Sequence, residues 1–293
     1  NELSDWIERI LEVTPPDDEE LVIFGLMWAA RRYQRNKNPA GYQALVELYG
    51  EPDHPFLRYS RAFTFQDNDS IEAAAGEAVA ELQRRGDVYL AGLFELAGIG
   101  GSMILAGRLD EMDELVERLV AQFRVTGPPS ALNMALTMLG FSALLQGRPD
   151  DAERIFDEAA DLDLPDHTDT GQAPMRARTA LRRGETARAS RILSDHIDEL
   201  IETENVYVSE MACIEFIAVM VVLDRLSEAA HILGFMERTD LLAAPNFGQL
   251  VAEARARIDE ADDPALDERR RTGHDLTVHE ALDYMRQVLA GRR

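Results

Sequence analysis

Four turns recur at an even interval along this chain: Ala106-Gly107-Arg108-Leu109-Asp110, Gln146-Gly147-Arg148-Pro149-Asp150, Arg183-Gly184-Glu185-Thr186 and Asp224-Arg225-Leu226-Ser227. With 107, 147, 184 and 224 as register marks, the steps are 40, 37 and 40 residues. Each turn follows an apolar helical run and precedes an amphipathic one. Self-similarity at such a period marks a stacked repeat. A unit of this size holds two helices and cannot bury its own apolar face, so neighbours must cover it.

The turn chemistry fits a helical hairpin. Glycine ends the first helix because a positive φ costs it no Cβ clash. Asp, Thr or Ser is then expected to offer an oxygen to the free N–H groups of the second helix. Alanine stands five residues after three marks, at Ala152, Ala189 and Ala229, where a small residue lets two helix backbones approach; Met112 holds that place in the first unit. Upstream, residues 28–33 and 56–63 read as further first helices, and 71–83 as a second helix. Residues 3–12 read as a second helix whose partner is missing, so the chain is expected to be a piece cut at its N-terminus. No alternating run supports a strand or hairpin, and the expected class is all-α. Loops fall at Pro15-Pro16-Asp17-Asp18, 50–55, 127–130, 164–170 and 243–246.

The tail departs from the repeats. A charged helix over 247–261 leads to Asp263-Pro264, which opens a short helix through Arg271. Thr277-Val278-His279-Glu280 is a capping box that starts a last helix ending near Gly291. The expected division is an array over 1–240, truncated at its start, and capping helices over 241–293.

Charge limits the partners. Lys+Arg is 30 against Asp+Glu 54, a net −24, so phosphate backbones and anionic membranes are repelled. Only Lys37 among the basic residues is lysine, which suggests a GC-rich bacterial genome. The lone Cys213 lies in the apolar run 211–223, and a buried structural thiol is expected. That run is too short for a bilayer, which needs about 20 apolar residues. The expected location is the cytoplasm.

The strongest unit carries a family pattern. Leu139-Gly140, the turn Gly147, then Ala152, Phe156 and Ala159 resemble a tetratricopeptide repeat, with its terminal proline one place late at Pro165. Other units keep only part: Gly184, Ala189 and Leu193, then Ala229 and Leu233. The steps exceed the usual ~34 residues of that repeat. The tail, with Ala229-Ala230-His231-Ile232-Leu233-Gly234 and Gly273-His274-Asp275-Leu276-Thr277-Val278-His279-Glu280-Ala281, is similar to the C-terminal region of large actinobacterial regulators of LuxR/MalT and AfsR type, including their adenylate-cyclase-like relatives. This resemblance covers roughly residues 90–290. It implies a right-handed α-hairpin solenoid with C-terminal capping helices, serving as the sensor arm of a STAND-type ATPase. The Walker A pattern is absent and the chain ends before a DNA-recognition helix could form, so those modules would lie elsewhere in the parent.

By the same resemblance, the concave groove would be lined by Phe94, Gly101, Ile104, Met134, Thr137, Phe141, Arg178, Arg182 and Met211. Phe and Met flanked by two arginines suit an apolar ligand or peptide with an anionic end; the alternative is that these residues are inter-repeat core. No catalytic residue, cofactor or metal is expected. Asp161, Asp163, Asp166 and Asp169 lack calcium-loop spacing, because Pro165 and His167 interrupt them, and His274 with His279 is a weak metal candidate. The expected function is a non-enzymatic sensor and protein-interaction domain that binds an effector or partner and biases the attached ATPase. The alternative is a free-standing scaffold holding a partner's peptide. Self-association is open.

Overall fold

The computed structural model describes residues 22–23, 25–27, 39–50, 52–64, 68–162, 164, 172–203, 206–243 and 245–291. The helices expected over 3–12 and 28–33, with Arg31, Arg32, Arg35 and Lys37, lie outside the described residues, as does most of the acidic loop around Pro165. Every regular element among the described residues is helical, and the fold is all-α. Two compact units divide the chain, residues 1–103 and 104–293.

The first unit contains α1 (Pro39–Tyr49), α2 (Pro55–Thr64), α3 (Asn68–Arg84) and α4 (Val88–Phe94). The sequence reading had no helix over α1. Helix α4 runs on through a π-helical turn, Glu95–Gly100, into α5 (Gly101–Leu105). Asp87 caps α4 through the Leu90 N–H at 2.9 Å. Helix α3 packs on α2, α4 and the π turn. Phe94 is core here: its ring lies 4.9 Å from Tyr59 and 5.6 Å from Phe56. Gly98 allows the close approach, since a Cβ there would stand 2.5 Å from that of Ala75. The run Val88–Leu105 is long and apolar enough to cross a membrane by length and composition alone; 39% of it is buried inside the protein.

The second unit contains α6 (Leu109–Thr126), α7 (Pro129–Leu145), α8 (Pro149–Ala160), α9 (Gln172–Arg182), α10 (Thr186–Thr203), α11 (Val206–Val222), α12 (Leu226–Met236), a 3-10 turn (Asp240–Ala243), α13 (Pro245–Glu260), α14 (Pro264–Gly273) and α15 (Val278–Leu289). Consecutive helices pack as pairs: α7 with α8, α9 with α10, α11 with α12. Alternate helices also pack in succession, α7 on α9, α9 on α11, α11 on α13. Met112, Val116, Leu119, Val120 and Phe123 form the single buried stripe of α6, spaced at helical intervals. Helix α11 is instead buried nearly all round, because α9, α10, α12, α13 and α15 surround it.

All four register marks are left-handed: Gly107, Gly147 and Gly184 at φ 73–79°, Asp224 at 57°. The backbone closes each of the last three helices in the same way. Arg148, Glu185 and Arg225 donate back six-to-one to Ala143, Ala180 and Met220 at 2.8 Å. Asp262, with φ 46°, continues the series at a step of 38 residues. The tail therefore keeps the turn period through α13 and α14.

The expected capping oxygen is not used at three of these turns. Arg108, Arg148 and Arg225 hold the N-cap positions and make no side-chain cap bond. Each guanidinium instead reaches an acid three residues on: Glu111 at 3.3 Å, Asp151 at 3.3 Å and Glu228 at 2.5 Å. The remaining turn reverses the charges, with Glu185 preceding α10 and Arg188 three residues later at 2.9 Å. An acid in the first helical turn already suits the helix dipole, so an arginine just outside completes the pair.

Arginines also tie successive pairs together. Arg148 meets Asp113 at 2.9 Å, Arg183 meets Asp150 at 2.7 Å, Arg257 meets Asp224 at 2.9 Å, and Arg188 meets Glu153. These separations of 33–35 residues keep the units in register.

The expected capping box is present: Thr277 and Glu280 bond reciprocally at the start of α15. Helix α15 touches α14 through Arg269, whose Nη2 donates to Tyr284 Oη at 2.9 Å. It turns back and packs on α10, α11 and α12 together. Met285 touches Cys213 at 3.5 Å, and Tyr284 meets the His231 ring edge-on at 4.5 Å.

Candidate functional site

The groove residues named from the resemblance fall in different settings. Phe94 and Gly101 belong to the first unit, and a Cβ on Gly101 would meet open space. In the second unit Ile104, Thr137, Phe141, Arg178 and Met211 are buried, Met134 is half-buried and Arg182 is exposed. Most of this set is thus interior.

Phe141 shows one reason. Its ring stacks on that of Phe247, with centroids 5.8 Å apart and planes inclined by 25°. This brings α13 against α7, although α9 and α11 come between them in the succession. A sequence register treats these first helices as a row of neighbours, so it does not anticipate contact between the first and the fourth.

Polar groups nonetheless gather on the same helices. Gln172, at the start of α9, donates to Asn133 Oδ1 at 2.5 Å and to Thr137 Oγ1 at 2.9 Å on α7. Thr137 also donates to the Asn133 carbonyl at 2.8 Å. One repeat step further, Arg178 on α9 meets Glu215 on α11. Arg178 Nε lies 2.5 Å from Glu215 Oε2, with side-chain exposures of 6% and 2%. Burial pushes the Glu215 carboxyl up to about 7, and the nearby Arg178 and Arg182 charges pull the other way. The pair is buried deeply enough that desolvation opposes its mutual attraction. Arg178 Nε and Nη2 and Glu215 Oε2 are buried and make no hydrogen bond with the described residues.

The resemblance places Arg178 in the groove, with inter-repeat core as the alternative; in the structure it is buried and faces a carboxylate. The signal in the sequence was Glu215, the one acid interrupting the apolar run 211–223, placed 37 residues after Arg178. Arg182 is exposed and makes no hydrogen bond or ion pair with the described residues. Asn133 and Gln172 were missed because a lone amide in a helical pattern carries no register signal.

Other chemistry is sparse. Among the described residues no group of three or more His, Cys, Asp and Glu side chains could hold a metal ion. Burial, with Glu210 nearby, pushes the Cys213 thiol far above its ordinary value, so the nucleophilic thiolate is suppressed. A shallow depression of about 350 Å³ lies between Glu237, Asp267, Arg270, Arg271, His274 and Asp275. Its Arg270 is already engaged by Glu237 and Asp259. Comparison with protein-family models, curated proteins and solved structures finds no match for this chain.

Proposed function

We propose that this chain is a tetratricopeptide-like α-hairpin solenoid acting as a non-enzymatic sensor and protein-interaction arm of a larger cytoplasmic ATP-dependent regulator of LuxR/MalT type. The observation that carries the reading is the periodic succession of helix pairs, with left-handed turn residues at 107, 147, 184, 224 and 262. Stacked helix pairs suit extended recognition surfaces. The mechanism is differential binding. An effector, peptide or protein partner that binds one packing of the helices better shifts the population toward it and so biases the attached ATPase.

The test is ATP hydrolysis by the full-length parent, with residues 104–293 present and deleted. A change in the basal or effector-stimulated rate supports the sensor reading. An identical rate removes it. A reading frame with no nucleotide-hydrolysing module replaces it with the free-standing scaffold.

A further inference from the structure

We propose that Arg178 and Arg182 form a subsite for an oxyanion, a carboxylate or a phosphate, on the face of α9. This deepens the sensor reading by naming the chemistry its ligand would present. Helix α9 stands out in a chain of net charge −24. Arg176, Arg178 and Arg182 lie on it, Arg183 follows, and no acid occurs from Gln172 to Gly184.

Two of these arginines are structural. Arg176 meets Asp157 at 2.9 Å, and Arg183 meets Asp150 at 2.7 Å and Glu185 at 3.0 Å. The other two are not fully engaged. Arg178 forms an ion pair with Glu215, its Nε 2.5 Å from Oε2, yet its buried Nε and Nη2 make no hydrogen bond with the described residues. A buried donor without a partner calls for a physical explanation, and an absent ion or ligand is one of the few available. Arg182 sits four residues on, about one helical turn of 5.4 Å along the same face. It has no hydrogen-bond or ion-pair partner among the described residues.

The two guanidiniums therefore have complementary roles. Arg182 gives up no hydrogen bond or ion pair with the described residues when an anion arrives. Arg178 gains an acceptor for its Nη edge in a low-dielectric setting, where a charge-assisted bond is stronger. Glu215 stands beside Arg178 as its counter-ion on the Nε side. Two guanidiniums and one carboxylate leave the site no worse than singly positive. A planar or tetrahedral oxyanion can bridge two forks in a way that chloride cannot.

The experiment titrates the purified chain with sodium phosphate and, separately, sodium succinate, each against sodium chloride at equal ionic strength. Thermal unfolding and the Arg178 Nε–Hε NMR signal are the readouts. The expected result is a saturable rise in melting temperature and a shift of that signal, with at least one oxyanion. R182Q, at an exposed position, is expected to weaken binding by about tenfold, the loss of one charge-assisted contact. R191Q removes an exposed arginine on α10 and is expected to leave binding unaltered. Response to phosphate alone or to succinate alone supports the site and assigns its class. No response beyond chloride, or equal loss in R182Q and R191Q, overturns the proposal. Neither result bears on ATP hydrolysis by the parent, so failure here is separable from failure of the sensor reading.

Discussion

Gly234 on α12 faces the Arg270 carbonyl of α14, and Gly273 on α14 faces the His231 carbonyl of α12, so backbone meets backbone where the two helices cross. A Cβ on Gly234 would stand 1.9 Å from the Arg270 carbonyl oxygen, and a Cβ on Gly273 would stand 1.7 Å from the carbonyl oxygen of His231. The obstacles are main-chain atoms, which cannot swing aside as a side chain can. Gly234→Ala and Gly273→Ala are each expected to lower stability by about 3 kcal/mol, the upper range for overpacking. Gly76 lies within α3 with nothing near its missing Cβ. Gly76→Ala is expected to raise stability by about 0.5–1 kcal/mol through helix propensity. Urea midpoints of the three variants check both signs; equal effects would refute the crossing argument.

A second close approach lies inside the repeat with the fullest family pattern. A Cβ on Gly140 would come within 2.5 Å of the Phe156 ring. Phe156 is fully buried, so the ring has little room to yield. Gly140→Ala is expected to cost about 1–3 kcal/mol, and Gly140→Arg to unfold the pair. In the Phe156→Leu background the alanine cost should shrink. A double-mutant cycle measures this coupling, and strict additivity would show that the two residues do not conflict.

The Glu215 carboxyl makes stability depend on pH in a definite direction. Its folded value, about 7, exceeds the ordinary 4.5 because burial disfavours the charged form. The folded state therefore holds this proton more tightly than the unfolded state does. Its contribution is complete below about pH 4.5 and is lost as pH rises through about 7. Glu215→Gln should remove that slope, making the difference in urea midpoint between pH 5 and pH 8 smaller than in the wild type. An unchanged difference would assign the slope to other groups.

Cys213 supplies a probe of global opening. It is fully buried against Met285, and burial together with the nearby Glu210 disfavours its thiolate. Labelling by a thiol reagent is expected to proceed at the rate set by unfolding, rising with urea as the unfolded population does. Fast labelling in native buffer would indicate that α15 detaches locally from α11.

The helical class, the turn positions and the α15 capping box were legible because each is a local property. A glycine at a helix end, a threonine three residues before a glutamate and apolar residues at helical spacing act within one or two turns of chain. Even there the reading was incomplete. The arginine that precedes the second helix in three of the four pairs was passed over, since its partner is an acid three residues away rather than a free N–H. The α1 helix was missed although it opens on Pro39 and stops at Gly50, where the expected loop 50–55 begins.

The amino-acid order alone determined that this chain folds as helix pairs reversing at Gly107, Gly147, Gly184 and Asp224, because left-handed turns and amphipathic stripes are written within a few residues of one another. Only the tertiary structure decided which positions stay open. Phe141 is covered by Phe247 from more than a hundred residues away, Arg178 is drawn inside opposite Glu215, and α15 turns back onto α10, α11 and α12. Burial depends on how far each pair rotates relative to the next. That rotation is set by the summed packing of many side chains and leaves no local mark in the sequence.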